Sequence, residues 1–202
     1  MNKYKIPLTI DRAVIEVNGG CNYTCQMCPQ TTPDGTTGGR GKEWLKKMSL
    51  KDFERTVAEC AEHGLNVVNL EGSGEPTLNR NLPEYISIVK KYGAKAFIYT
   101  NGFNLRGNFM RECVDAGLTL ARFSCIGYNR DKYKEWMNRD GFEWIKDNAT
   151  KMNEYIKETK AECTVASYHL ITDNNNIDYE VEHYQKNFIE PVGSYAEIWK
   201  MH

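Results

Sequence analysis

The chain has 202 residues, 26 Lys and Arg against 27 Asp and Glu, a net charge of −1, 41% hydrophobic residues and 26% charged ones. This is the make-up of one soluble globular domain with room for a core. Near-neutral charge without blocks of one sign argues against an electrostatically driven nucleic-acid binder, and no apolar run approaches a membrane span. The opening MNKYKIPLTIDR has no apolar signal region, so the expected compartment is a reducing cytoplasm. The 7 cysteines then need a reason, because an odd count in a reducing compartment is a poor disulfide framework.

Residues 1–12 are expected to form an N-terminal arm and residues 13–202 a single core domain. From Ala13 the segment AVIEVN is β-rich and runs into Gly19, Gly20 and the cysteine run GGCNYTCQMCPQ. The polar loop that follows, with Pro33, Gly38, Gly39 and Gly41, is a candidate lid or substrate contact, or simply a connection. Ser49 caps a helix, SLKDFERTVAECAEHG, with Leu50, Phe53, Val57 and Cys60 on one face and Gly64 as its stop. Then come the strand LNVVNL with its turn EGSGEP, the helix LPEYISIVKKYG, the strand AKAFIYTNG, a helix around NFMRECVDAG and the strand LTLARFSCIG. After Gly127 a polar connection leads to the helix FEWIKDNATKMNEYIKETK, the strand ECTVASYHLI, an Asn-rich loop, a helix from about Tyr179 to Ile189 and the strand YAEIWKMH.

Strict β/α alternation calls for a parallel α/β sheet with right-handed crossovers. A full eight-unit barrel takes ~250 residues, about 31 per unit, so this length accommodates about six. The expected fold is therefore a partial (β/α)6 TIM-like barrel, with an open doubly wound sheet as the other solution. In either, ligands bind at the C-terminal strand ends, where the cysteine loop, the EGSGEP turn, the TNG turn and Ser124 all lie.

Cys60 and Cys113 sit in helical patterns, Cys125 and Cys163 in strand patterns, and all four read as small buried hydrophobes. Cys21, Cys25 and Cys28 fall within eight residues among glycines and Pro29, which is ligand spacing. A structural zinc or a fully protein-ligated cluster needs a fourth ligand, whereas His63, His169, His183 and His202 are scattered singly. A three-thiolate site leaves one metal position open, as a catalytic metal requires.

The chain resembles the radical S-adenosylmethionine (radical SAM) enzymes at several points. Cys21, Cys25 and Cys28 match the family's CxxxCxxC signature after a first strand. Gly72-Ser73-Gly74-Glu75-Pro76 resembles its GGEP turn, Met48-Ser49-Leu50 a common helix opening, and Thr100-Asn101-Gly102 and Ser124 further family positions. The resemblance implies that the three thiolates hold a [4Fe-4S] cluster whose fourth iron is chelated by S-adenosylmethionine. Gly72, Ser73 and Gly74 would lie at the methionine amino group, with exposed glycine backbone approaching it, and Glu75 would hold the turn or that amino group, or be a structural loop acid. Ser124 would lie at the ribose and backbone near Met27 at the adenine, with Thr100 and Asn101 as further cofactor contacts. A low-potential donor such as flavodoxin or ferredoxin would supply the electron that yields a 5′-deoxyadenosyl radical, which abstracts hydrogen from substrate.

Met27 stands where many relatives have an aromatic, Ile126 where they often have an acid, and SYHLITDNNN lacks a glycine-rich motif found in some. Strand parity places Arg122 on the same face as Ser124, as a candidate substrate or carboxylate contact or a salt bridge, and turns Cys125 toward the helices. The ending EIWKMH resembles the sixth strand of SPASM or twitch members, which continue into a cluster-bearing extension. Its absence here implies a core-only enzyme, a part supplied by another chain, or a truncated sequence. A barrel without a cap leaves an opening suited to a peptide or other macromolecule. The competing functions are a non-catalytic iron–sulfur or zinc protein and a radical SAM module that needs a partner chain; within the family, a small deazapurine-forming synthase fits the length.

Overall fold

The computed structural model describes residues 9–31 and 46–200. The loop residues Pro33, Gly38, Gly39 and Gly41, most of the expected arm, and His202 lie outside the described residues. Six strands are present: β1 (Arg12–Val14), β2 (Val67–Leu70), β3 (Lys95–Thr100), β4 (Leu118–Ser124), β5 (Thr164–Ile171) and β6 (Tyr195–Lys200). All pair in parallel in the order β1-β2-β3-β4-β5-β6. A doubly wound sheet reverses its strand order part-way, so this sequential order excludes that alternative. The outer strands do not pair with each other, and the fold is a partial (β/α)6 barrel.

Among the described residues seven α-helices accompany the sheet: α1 (Leu50–Ala61), α2 (Leu82–Lys91), α3 (Gly107–Asp115), α4 (Arg130–Met137), α5 (Phe142–Thr159), α6 (Ile177–Tyr184) and α7 (Glu190–Val192). Ser49 caps α1 as expected, its hydroxyl accepting from Asp52 N at 3.1 Å. The helix buries Phe53 and Val57, and the Phe53 ring meets Tyr85 of α2 edge-on at 4.9 Å. Period-2 alternation sorts the strands: Ala96 and Ile98 of β3 and Ala121 and Phe123 of β4 are buried, whereas Phe97, Tyr99, Arg122 and Ser124 are half-buried on the inner face. Cys113, Cys125 and Cys163 are buried free thiols and Cys60 is half-buried, in keeping with packing roles.

Three elements differ from the sequence expectations. β1 begins at Arg12, inside the expected arm, and ends at Val14, because Glu16 and Asn18 bond to the turn after β2 instead of continuing the ladder. α4 occupies the expected polar connection. Its segment RDKYKEWM has only Tyr133 and Met137 buried, four residues apart on one face, with Asn129 accepting from Lys132 N as cap. The expected helix from Tyr179 begins at Ile177, passes through a π turn at Gln185–Ile189 and closes on α7, with Gly193 at φ +66 ending it. Among the described residues no helix is long and apolar enough to cross a membrane.

The loop after β5 is tied down by a buried pair. His169 Nε2 lies 2.9 Å from Glu180 Oε1, and the same carboxylate accepts from Thr172 N, Thr172 Oγ1 and Asp173 N. Burial alone would raise the Glu180 carboxyl, but these hydrogen bonds outweigh it and hold the group below its ordinary value of 4.5. Its stabilising contribution is therefore complete above that value and is lost as pH falls through the lowered native one. Glu180→Gln is expected to lower stability by about 1–3 kcal/mol at neutral pH and to flatten the fall in the urea midpoint as pH drops below 4.5. An unchanged pH profile in the variant would contradict this assignment.

Candidate active site

Cys21, Cys25 and Cys28 sit on one loop at the C-terminal side of β1, all half-buried. Cys28 N donates to Cys25 O at 3.0 Å, and Tyr23 N donates to Cys21 Sγ at 3.4 Å. Burial pushes the Cys21 thiol up to about 11 and the Cys25 thiol up to about 12, and the Glu75 carboxylate acts in the same direction. The loop is held from outside by α4 and the residues after it. Gln26 N donates to Trp136 O, Asn138 Nδ2 to Thr24 Oγ1, Arg139 Nη1 to Asn22 O and Tyr133 OH to Tyr23 OH. The helix that hydrophobic patterning did not reveal is thus a brace for the cysteines.

From inside, the brace is Glu75. Its side chain is 3% exposed, and Oε1 accepts from Thr77 N at 3.0 Å, Thr77 Oγ1 at 2.6 Å and Thr100 Oγ1 at 2.6 Å. Oε2 accepts from Asn101 N at 2.8 Å. Glu75 N donates to Gly20 O at 2.8 Å, and Asn18 Nδ2 donates to both Gly20 O and Glu75 O. Asn101 Nδ2 completes the link by donating to Asn22 Oδ1 at 2.8 Å. Glu75, Thr100 and Asn101 therefore tie the ends of β2 and β3 to the cysteine loop.

The chain's own packing also requires the glycines of this turn. A Cβ on Gly74 would lie 1.9 Å from Asn18 O, and one on Gly72 would lie 2.5 Å from Glu16 Oε1. The space is taken by the chain itself. The Glu16 carboxylate accepts from Ser73 N at 2.5 Å and Gly74 N at 3.0 Å, so it caps the turn.

These turns enclose a cavity of about 400 Å³. Cys21 and Cys25 line it on one side, Gly72, Gly74 and Glu75 on another, and Thr100, Asn101 and Ser124 at the strand ends. Ser73, Cys28 and Met27 are half-buried and lie outside that lining. Tyr99, Arg122 and Tyr168 complete the floor, with Trp199 of β6 against Tyr168 at 6.1 Å. The Arg122 guanidinium pairs with Glu197 and lies 4.2 Å from the Tyr99 ring centroid, while its Nε is buried without a partner. Parity foretold the direction of Arg122; Tyr99, Tyr168 and Trp199 were recoverable by extending the same parity across neighbouring strands.

Among the described residues no three His, Cys, Asp or Glu side chains converge on a single-ion site. A cluster makes a different demand, since each thiolate binds its own iron. Three thiols on one loop, two of them opening on the same cavity, fit that donor set.

The sequence profile of the Radical SAM superfamily matches residues 15–182. The chain belongs to the radical SAM superfamily. The cofactors of that superfamily are a [4Fe-4S] cluster and S-adenosylmethionine, and the site fits both. A probable GTP 3′,8-cyclase from Metallosphaera sedula is 32% identical over 126 residues, covering 62% of this chain and 37% of its own length. The chain spans between about a quarter and about half the length of the curated relatives it matches. The crystal structure of Streptococcus suis SuiB bound to the precursor peptide SuiA superposes over 96% of this chain and 40% of that one, at 15% identity with a TM-score of 0.74. SuiB bound to S-adenosylmethionine superposes over 96% of this chain and 41% of that one, at 16% identity with a TM-score of 0.70. These last two likenesses show a shared fold.

The radical SAM core here should be sensitive to the charge of Glu75, because all four of its bonds are accepted and a carboxamide turns one oxygen into a donor. Glu75→Gln is expected to lose about 1–3 kcal/mol in urea unfolding. A loss within experimental error would show that the carboxylate does not tie the turns together.

Proposed function

We propose that this chain is the catalytic core of a radical SAM enzyme, with Cys21, Cys25 and Cys28 as cluster ligands and the cavity beside them as the S-adenosylmethionine site. The observation that carries this is the opening of Cys21 and Cys25 into the same cavity as the GSGEP turn and Ser124. When reduced by one electron from a donor such as flavodoxin or ferredoxin, the bound cofactors supply a 5′-deoxyadenosyl radical that abstracts hydrogen from substrate.

The protein's own residues bind, orient and shield. Ser124 offers a hydroxyl to the ribose, backbone near Met27 borders the adenine, and Gly72 presents backbone at the cavity rim. Thr100 and Asn101 act through Glu75 and Asn22, keeping the cysteine loop and the turn in register. The floor of Tyr99, Tyr168 and Trp199 faces the side from which a substrate enters. Trp199 is 58% exposed on β6, and a peptide or other macromolecule is the proposed substrate, a class that SuiB, which has the same fold, is seen bound to. A second reading, GTP as substrate, is favoured by the curated relatives named probable GTP 3′,8-cyclase.

Anaerobic reconstitution followed by S-adenosylmethionine and dithionite is expected to release 5′-deoxyadenosine; a loaded cluster that yields none would leave only an iron–sulfur binding protein. Stimulation of that release by GTP would favour the nucleotide reading over the peptide one. Cys25→Ala is expected to abolish cluster loading by iron and sulfide analysis, and full loading would remove it from the ligand set. Ser124→Ala, losing one hydrogen bond of about 0.5–1.5 kcal/mol, should weaken S-adenosylmethionine binding about 2- to 10-fold in calorimetry.

A further inference from the structure

An aromatic stack runs from the surface to the cavity wall along the outside of the cysteine loop. Trp144, in the first turn of α5, is 43% exposed and stacks on Phe103 at 5.6 Å with ring planes 24° apart. Phe103 meets the edge of Tyr23 at 6.2 Å, and Tyr23, buried between Cys21 and Cys25 in sequence, lines the cavity. The stack is fixed in place: Trp144 Nε1 donates to Phe103 O at 3.1 Å and Asn148 Nδ2 to Gly102 O at 2.9 Å.

Two arginines lie on these rings. The Arg106 guanidinium is 4.6 Å from the Trp144 centroid, and that of Arg139 is 4.2 Å from Phe103 and 5.2 Å from Tyr23. Among the described residues neither pairs with a carboxylate, whereas the nearby acids are already taken, Glu143 by Lys146 and Asp140 by Arg130. The patch is therefore cationic and aromatic on a chain whose net charge is −1. Arg139 also donates to Asn22 O, next to Cys21. Exposed Trp and Arg are the residue types that anchor protein interfaces, and unneutralised cations select an acidic partner. Core packing explains Tyr23 but not a half-exposed tryptophan roofed by an arginine that has no carboxylate partner among the described residues.

We propose that Trp144, Phe103, Arg106 and Arg139 form the docking face for a small acidic, low-potential electron-carrier protein. This rests on the proposed function, since it needs a cluster at the cysteine loop. One electron leaves the carrier and one is gained by the cluster. The rings between are packed matter through which it tunnels and are themselves neither oxidised nor reduced, and no bond in the chain forms or breaks. The short packed path from Trp144 through Phe103 to Tyr23 is what makes this face suited to delivery.

The test uses the reconstituted full chain with reduced flavodoxin as probe, following binding by calorimetry and cluster reduction by stopped-flow absorbance. Arg106→Glu is expected to weaken flavodoxin binding about 10-fold or more and to slow reduction by flavodoxin in step, with the wild-type affinity falling as salt rises. Trp144→Ala should slow reduction by flavodoxin further than its effect on binding explains. Dithionite, which needs no docking face, should reduce all three proteins at one rate. Unchanged flavodoxin binding and reduction in Arg106→Glu would overturn the proposal, as would failure of the wild type to bind both flavodoxin and a ferredoxin. Release of 5′-deoxyadenosine with dithionite is scored separately: product there, with variants indifferent to flavodoxin, sinks the docking face and leaves the proposed function standing.

Discussion

The Glu75 carboxylate lies beneath the cavity and receives four hydrogen bonds, from Thr77 N, Thr77 Oγ1, Thr100 Oγ1 and Asn101 N. Burying a carboxylate is expensive, and burial pulls its proton affinity upward. Four donors oppose that pull, two of them backbone N–H groups that would otherwise be orphaned, Thr77 N at the start of a 3-10 turn and Asn101 N after β3. The same residue's backbone pairs with Gly20 and Asn18. One side chain and its peptide unit thus fix the ends of β2 and β3 and the start of the cysteine loop relative to one another. If this knot loosens, the walls of the cavity separate.

Around it the molecule divides its work between two faces of one sheet. The face toward the helices is packed by Phe53, Ile98, Phe123 and Ile145, all fully buried. The inner face carries Tyr99, Arg122, Ser124 and Tyr168, half-buried and lining the cavity. A parallel sheet with sequential order places every strand's C-terminal end on one rim, so residues from four different strand ends meet without long-range design of any single loop. The rim is completed from outside by α4 and Arg139, which grip the backbone of the cysteine loop from Asn22 to Gln26.

Much of this was legible in the chain before folding. Parity in LTLARFS foretold that Arg122 and Ser124 share one face, and the Ser49 cap marked the start of α1. What was hidden depends on contacts distant in sequence. The missing side chains of Gly72 and Gly74 also make room for Glu16 and the Asn18 backbone, far away in sequence. α4 was hidden because a helix of eight residues with two buried positions leaves almost no periodic signal, and its stability comes from the caps and from what it packs against. The service of Thr100 and Asn101 to Glu75 could not be read from TNG alone, since it requires the register of β3 against β2. Tyr168 and Trp199 join the floor only because β5 and β6 pair with Tyr168 opposite Glu197.

The proposed three-thiolate site would leave one iron free to bind S-adenosylmethionine in the adjoining cavity. The most direct measurement is electron paramagnetic resonance of the reconstituted, one-electron-reduced protein before and after S-adenosylmethionine is added. Direct chelation at the free iron should shift the g values of the cluster signal, and Cys28→Ala should remove the signal. A spectrum that S-adenosylmethionine leaves unchanged would contradict the open iron position and with it the cavity as the cofactor site.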